Sequence, residues 1–374
     1  MVSSGIPAGI LNPVVVHLAH LRLRDFRNYG RLDADFAAGF HLLLGDNAQG
    51  KTNILEAIYL IATLRSFRGV GGAQLIRHGQ KGYFVGATVL SRASHEIKIY
   101  WSARQRKLSL DGQPVRRLGD YLGTLRAVVF CTEDLQLIQG TAARRRRFMD
   151  LLLTQTHAVY LPLLQRYTTA LRSRNALLKE PRTEPAALEE FTRQLVEAGM
   201  QLMKFRRGLA PRVYPLAQEA HARVTGGNEP LELEYQPSVR EDFAVELAQS
   251  RARERIFRTT VLGPHRDDLH LRLAGKSAAK FASEGQKRSI AIALKMAQAE
   301  YLSTASGTPP VLLIDDIMGE LDARRRAGFL PLLSRAQHAW SQVFMTCTEE
   351  NWPRELGRDL ERWEVKGGTL KPAG

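Results

Sequence analysis

Apolar and polar positions alternate through "VVVHLAHLRLRDF" from Val14, a pattern that predicts a strand, and "FHLLLG" from Phe40 predicts a short buried one. A glycine-rich turn follows, and "TNILEAIYLIATL" predicts a helix beginning at Gly50. Residues 83–130 return to strand patterning in "YFVGATVL", "HEIKIYWS", "KLSLDG" and "LRAVVF", with Asp111-Gly112 as a hairpin turn. The expectation is a β meander behind a strand, a glycine turn and a helix.

Around Arg144 the period changes. From "RRRRFMDLLLTQ" to "AQEAHARV" the apolar residues fall at helical spacing, broken by Pro181 and Pro185. This predicts two long helices and a shorter one, joined near "KEPRTEP" and ended by "TGGNEP", with a further helix from Glu241 to about Thr260. After "GPHRDDLHLRL" the sequence predicts a helix in "SEGQKRSIAIALKMAQAEYL", a buried strand in "PVLLIDD" and another strand in "QVFMTCT". The two ends of the chain thus read as one α/β unit with a helical insertion between them. The expected division is a flexible extension over 1–13, a first part of the unit over 14–140, an inserted helical lid over 141–258, and the rest of the unit over 259–374.

Composition narrows the function. The 374 residues carry a net charge of +15, which points to a polyanionic partner, because Lys and Arg that neutralise phosphates release condensed counterions. A generally basic surface is the plainer alternative. The charge is uneven: between Gly140 and Arg182, nine basic residues stand against Asp150 and Glu180. The two cysteines, Cys131 and Cys347, cannot build a zinc quartet or a disulfide framework, so a reducing compartment is expected. No run approaches eighteen apolar residues, and the first dozen residues lack the pattern of a signal peptide. The expected location is the cytoplasm.

Gly45-Asp46-Asn47-Ala48-Gln49-Gly50-Lys51-Thr52 matches the phosphate-binding P-loop in full, in the right context between a buried strand and a helix. Its glycines let backbone N–H groups turn towards a phosphate, and the helix N-terminus, which continues through Asn53, adds partial positive charge. Lys51 is expected to reach the β and γ phosphates of ATP, and the Thr52 hydroxyl to hold Mg²⁺. In "VLLIDD", Asp315 leaves the end of a buried strand as a second Mg²⁺ ligand, and Asp316 is placed to orient an attacking water. "FASEGQKRSI" offers a second anion-binding tip in Ser283, Gly285 and Gln286. Ser283 with Gln286 three residues later equally fits a capping box.

The order P-loop, insertion, "SEGQ", "LLIDD", "GELD" resembles the ABC-type ATPases of chromosome biology, and most closely the RecF family. The resemblance runs through the chain from Val14, in "LRLRDFRNY", "EDLQLIQG" with "RRRRFMD", "GPHRDDL" and "ASEGQKR". It implies an ABC-type P-loop ATPase head with an inserted, short coiled-coil-like helical domain. It implies two heads sandwiching two ATP molecules, so that Ser283 and Gly285 contact the partner's γ-phosphate while Gly319-Glu320-Leu321-Asp322 crosses the interface. It further implies a weak, DNA-stimulated ATPase that clamps gapped or double-stranded DNA without sequence preference. Such a protein, associated with the nucleoid, works with RecR and RecO to load RecA. An SMC-like chromosome organiser is the alternative, but the insertion is too short for a long arm; a transporter ATPase would require a membrane partner.

Two departures from the wider ABC pattern predict slow turnover. Asp316 stands where a Glu is usual, and Thr346, Cys347 and Thr348 end a strand where a switch His is usual. "HRDD", residues 265–268, opens like a kinase loop but has Arg272 where that loop has Asn, so a structural turn is expected rather than a kinase or metal site. Arg144, Arg145, Arg146 and Arg147 read equally as phosphate contacts or as partners of acidic groups at the junction with the insertion. Arg27, Arg65 and Arg68 are candidates to reach the nucleotide.

Overall fold

A computed structural model describes residues 16–180, 184–227, 229–338, 341–348 and 360–373; the extension expected over 1–13 lies outside them. Strands β1 (His17–Phe26) and β2 (Tyr29–Asp35) form a hairpin, and β3 (Gly39–Leu44) leads through the glycine loop into α1 (Lys51–Thr63). The meander is β4 (Gly82–Leu90), β5 (Ser94–Ser102), β6 (Arg106–Leu110) and β7 (Gln113–Pro114). Asp111 and Gly112, both at positive φ, make the tight β6–β7 turn. A short α2 (Leu118–Tyr121), β8 (Ala127–Phe130) and α3 (Gln136–Gln139) lead to the long helices α4 (Ala142–Thr156), α5 (Tyr160–Leu177) and α6 (Pro185–Thr225). Pro185 occupies the first turn of α6, where its missing N–H costs no hydrogen bond, and left-handed Gly226 ends it.

Beyond α6 the structure departs from the expected pattern. The segment after "TGGNEP" forms a strand, β9 (Leu231–Gln236), which the sequence reading omitted. The single helix expected over 241–260 is two short ones, α7 (Phe243–Gln249) and α8 (Arg251–Phe257). The division falls at Ser250, whose hydroxyl donates to the Leu247 carbonyl. Then come β10 (Asp268–Leu273), β11 (Lys276–Ser277), α9 (Ala278–Phe281), α10 (Glu284–Ser306), β12 (Val311–Asp315), α11 (Ala323–His338), β13 (Gln342–Cys347), β14 (Glu361–Lys366) and β15 (Thr369–Pro372).

Three sheets result, ordered β2-β1-β4-β5-β6-β7, β15-β14-β3-β13-β12-β8 and β11-β10-β9. The second is the frame: β14, β3, β13, β12 and β8 run parallel. Its strands are apolar on both faces, because each face meets a core of its own. Leu43, Val129, Leu313 and Phe344 enter a core with α1 and the antiparallel sheet of β1, β2 and β4–β7. Their neighbours Leu42, Val128, Leu312 and Val343 point oppositely, into a core with α10 and helices α4–α6. The inserted helices therefore share a core with the head. α1 is buried on nearly all sides, sandwiched between two sheets. The buried Gln342 amide accepts from the Leu18 N–H and donates to the Leu18 and Ala37 carbonyls, tying β13 to β1 across the sheets.

Charged groups inside the insertion are paired with care. Arg174 and Glu254 are both fully buried and form a two-pronged ion pair at 2.6 and 2.7 Å, while Thr192 and Thr260 each accept one further guanidinium proton. Arg206, 2% exposed, bonds Asp150 at 2.8 Å, Asp267 at 2.9 Å and the Pro264 carbonyl. This settles "HRDD" as a turn: Asp267 is buried beneath Arg206 and the Tyr235 hydroxyl, and Asp268 accepts both prongs of Arg145. Removing the charge of Glu254 leaves a buried guanidinium uncompensated. Glu254→Gln is expected to cost about 3–5 kcal/mol of stability, read from urea unfolding monitored by circular dichroism. A loss below about 1 kcal/mol would mean that neutral acceptors suffice for Arg174.

Candidate nucleotide site

The P-loop leaves β3 at Leu44 and closes on the first turn of α1. Gly45 (φ +151°) and Gly50 (φ +118°) sit where no other residue fits: a Cβ at Gly45 would lie 2.3 Å from the Val365 carbonyl oxygen, and one at Gly50 2.6 Å from Asn28 Nδ2. Ala48 also takes a left-handed conformation, φ +64°. Asp46, Asn47 and Ala48 form the exposed tip. Two hairpins hold the loop from outside. From the β1–β2 turn, Asn28 Nδ2 donates to the Gln49 carbonyl at 2.9 Å and the Tyr29 hydroxyl to the Gly50 carbonyl at 3.1 Å. From the β14–β15 turn, the Gly367 N–H donates to Gln49 Oε1 at 2.7 Å and the Gly368 N–H to the Gln49 carbonyl at 3.1 Å.

Lys51 is buried and folds back on its own loop, donating to the carbonyls of Gly45 and Asp46. Two of its three ammonium protons are thus parked on neutral acceptors, which an incoming phosphate displaces with a stronger, charge-assisted bond. Asn53 donates to Asn28 Oδ1 at 2.8 Å, so it braces the hairpin contact.

Thr52 and Asp315 meet, as expected for a Mg²⁺ site: the Thr52 hydroxyl donates to Asp315 Oδ1 at 2.8 Å. The proton lies on the carboxylate side and the hydroxyl lone pairs remain for a cation. Burial is the main influence on Asp315, raising its pKa above the usual carboxylate range, with the Thr52 and Thr346 hydroxyls opposing. The donors are hard oxygens, which suits Mg²⁺. Among the described residues no cluster of three His, Cys, Asp or Glu forms a metal cage.

Thr346 is the residue whose part the sequence did not reveal. Its hydroxyl donates to Asp315 Oδ1 at 2.9 Å and accepts the Asp316 N–H at 3.0 Å. It therefore fixes both acidic residues where β12 ends. Asp316 takes φ +52° there and is exposed. Of the three arginines considered near the loop, Arg27 is tied to buried Glu56 at 2.7 Å and Arg65 lines a separate cavity with Arg147. Only Arg68 borders the site, donating to Asn53 Oδ1 at 3.4 Å and acting electrostatically on Asp315.

The second tip is a helix cap. The Ser283 hydroxyl accepts the Gln286 N–H at 3.2 Å, and Gln286 Oε1 accepts the Ser283 N–H at 2.7 Å. Gln286 Nε2 continues to Glu229, and Glu284 accepts from Gln139 at 3.0 Å. Gly285 lies under Arg325, whose guanidinium a Cβ would meet at 2.6 Å. Arg325 binds both Asp322 and Ser289, and Arg288 binds the Glu320 carbonyl and side chain. Two arginines thus bolt the Gly319–Asp322 loop to the start of α10. These bonds and those of the P-loop form two separate networks within one chain.

The chain matches the family model for the RecF/RecN/SMC N terminal domain over residues 17–360. It is 37% identical over 371 residues to the DNA replication and repair protein RecF of Symbiobacterium thermophilum, covering 95% of this chain and 98% of that protein. It is 38% identical over 381 residues to the protein of the same name from Synechocystis, covering 93% and 99%. A solved structure of the recombination mediator protein RecF-ATP in the RecFOR pathway superposes with a TM-score of 0.89 at 27% identity, covering 98% of this chain and all of that one.

Thr346→Val deletes the hydroxyl shared by the two aspartates while keeping the side-chain shape. ATP hydrolysis is expected to fall about 10- to 100-fold, as catalytic groups lose their placement, with ATP affinity little changed in a filter-binding assay. Equal loss of binding and turnover would reassign Thr346 to holding the P-loop.

Proposed function

This chain belongs to the RecF family of DNA replication and repair proteins, and we propose that it is an ATP-driven, DNA-binding switch of recombinational repair. The reading rests most on one observation: the P-loop and the Ser283 tip occupy separate bonding networks of a single chain. A second copy, facing the first, brings Ser283 and Gly285 to the γ-phosphate held by the other's P-loop, and two ATP molecules close the dimer. Lys51 leaves the Gly45 and Asp46 carbonyls for the β and γ phosphates, and the backbone of 45–53 cradles them. Thr52 and Asp315 hold Mg²⁺, which neutralises phosphate charge. Asp316 orients the attacking water, and Asp322 carries the interface loop.

Turnover is slow on this reading. The Asp316 carboxylate is short, and the end of β13 presents a buried Thr346 rather than an imidazole. ATP then acts chiefly as dimer glue, and hydrolysis releases the clamp. The net charge of +15 supports sequence-independent DNA binding through phosphates. RecR and RecO are the proposed partners, with RecA loading at gaps the outcome, in the cytoplasm. No helix among the described residues is long and apolar enough to cross a membrane. The lid of 141–258 and the head segments 14–140 and 259–374 are kept as the proposed division.

Lys51→Ala is expected to abolish ATP binding and ATP-dependent dimers together. Ser283→Arg should keep ATP binding by the monomer but block dimers in light scattering with ATP·Mg²⁺. If Ser283→Arg loses both, Ser283 is only a cap. Asp316→Asn should lengthen the lifetime of ATP dimers, because bound nucleotide stabilises what hydrolysis otherwise dissolves; dimers that dissociate at the wild-type rate would remove Asp316 from the hydrolytic step.

A further inference from the structure

A cavity of about 660 Å³ opens between the C-terminal end of α1 and helices α4 and α5. Five arginines line it against one carboxylate, Asp150. That carboxylate is already engaged: Asp150 bonds Arg206 at 2.8 Å and accepts the Tyr160 hydroxyl at 2.5 Å. The other four are Arg65, Arg146, Arg147 and Arg172, and none has an acidic side chain as ion-pair partner among the described residues. Arg146 donates to a carbonyl, that of Asp267, at 2.6 Å. Among the described residues, half-buried Arg147 donates only to the Ser66 carbonyl, at 3.4 Å. Arg65 and Arg172 are exposed at the rim.

These four differ from Arg206 on the same wall, and from Arg145 and Arg174 elsewhere in the insertion, each of which meets a carboxylate within 3 Å. Here burial disfavours the Arg147 charge, and Arg65 and Arg144 disfavour it further. His265, also on the wall, has its pKa lowered to about 4 by burial and is neutral at pH 7. Gln155 lines the same cavity, 3% exposed, with its Oε1 buried and lacking a hydrogen-bond donor among the described residues. The walls therefore offer three guanidinium groups with no bonded carboxylate among the described residues, those of Arg65, Arg147 and Arg172, and one acceptor awaiting a donor. A phosphate ester whose sugar or base carries an O–H or N–H supplies both.

We propose that this cavity is a second phosphate-binding site, distinct from the P-loop, in which Arg65, Arg147 and Arg172 take the phosphate of a nucleotide unit. The unit belongs either to a DNA strand or to a free nucleotide. The chemistry is the same, and experiment separates the sources. The DNA source rests on the DNA-binding reading above; the nucleotide source does not.

The test uses the full chain carrying R65Q and R172Q together, two exposed positions whose change leaves the fold intact, as a thermal melt verifies. A control pair, R92Q and R104Q, removes the same charge from exposed positions on the meander side. In the DNA arm, the slope of log Kobs against log salt is measured on duplex DNA. The R65Q/R172Q pair is expected to reduce its steepness by about 2, and the control pair by less than about 1. In the nucleotide arm, ATP is titrated calorimetrically into Lys51→Ala, where the P-loop is disabled, and into the same variant with R65Q/R172Q. A residual site that vanishes in the triple variant identifies free nucleotide as the ligand. Should wild type bind no DNA, the DNA-binding reading falls and the nucleotide arm alone decides the cavity. The proposal is overturned if both arms are silent, or if the control pair changes the salt slope as much as R65Q/R172Q while no residual nucleotide site appears.

Discussion

The register of four parallel strands is what the site depends on. Leu44 at the end of β3 lies beside Cys347 of β13, Thr346 of β13 beside Asp315 of β12, and Ile314 beside Phe130 of β8. All four strands therefore release their chains at one edge of the sheet, where ligands of open α/β sheets collect. The P-loop, the two aspartates and Thr346 come from residues almost three hundred positions apart in sequence. A slip of one residue in any strand would turn its side chains to the opposite face. Both faces are apolar, so burial alone does not resist such a slip; the Thr346 hydroxyl does, because this register brings it to Asp315 Oδ1 and the Asp316 N–H.

Around that edge, hydroxyls and arginines do the joining. Thr52 and Thr346 share one oxygen of Asp315, so the P-loop helix, β12 and β13 are linked through a single carboxylate. On the other network, Arg288 and Arg325 connect the start of α10 to the Gly319–Asp322 loop.

The sequence disclosed what is encoded locally. Gly45 and Gly50 stand at the P-loop spacing, Asp111-Gly112 is a turn, and the Ser283–Gln286 spacing is a cap, all found where expected. Asp315 could be paired with Thr52 because strand, loop and helix announce themselves in order. What escaped depends on long-range approach. Thr346 is one hydroxyl among the many of a polar-ended strand, and only its neighbour across the sheet reveals its use. The bracing of Gln49 by Asn28 and by Gly367 and Gly368 has no local signature at either end. Strand β9 alternates in "LELEYQ" but is short and acidic, and its partner β10 lies beyond two helices. The run of Arg144 to Arg147 read evenly two ways, and the structure divides it: Arg145 is paired with Asp268, while Arg147 has no acidic partner among the described residues.

The latch on Gln49 has a temporal side. Gln49 Oε1 is held by the N–H of Gly367, 318 residues later, and the Val365 carbonyl lies against Gly45. A ribosome makes the phosphate loop some 318 residues before its clasp. While the chain is being synthesised, the loop has the right sequence but lacks the hairpin that shapes it, and it also lacks β12 and β13. The form of the phosphate loop therefore depends on residues made long after it, and a product broken off before Val365 would carry the motif without its clasp.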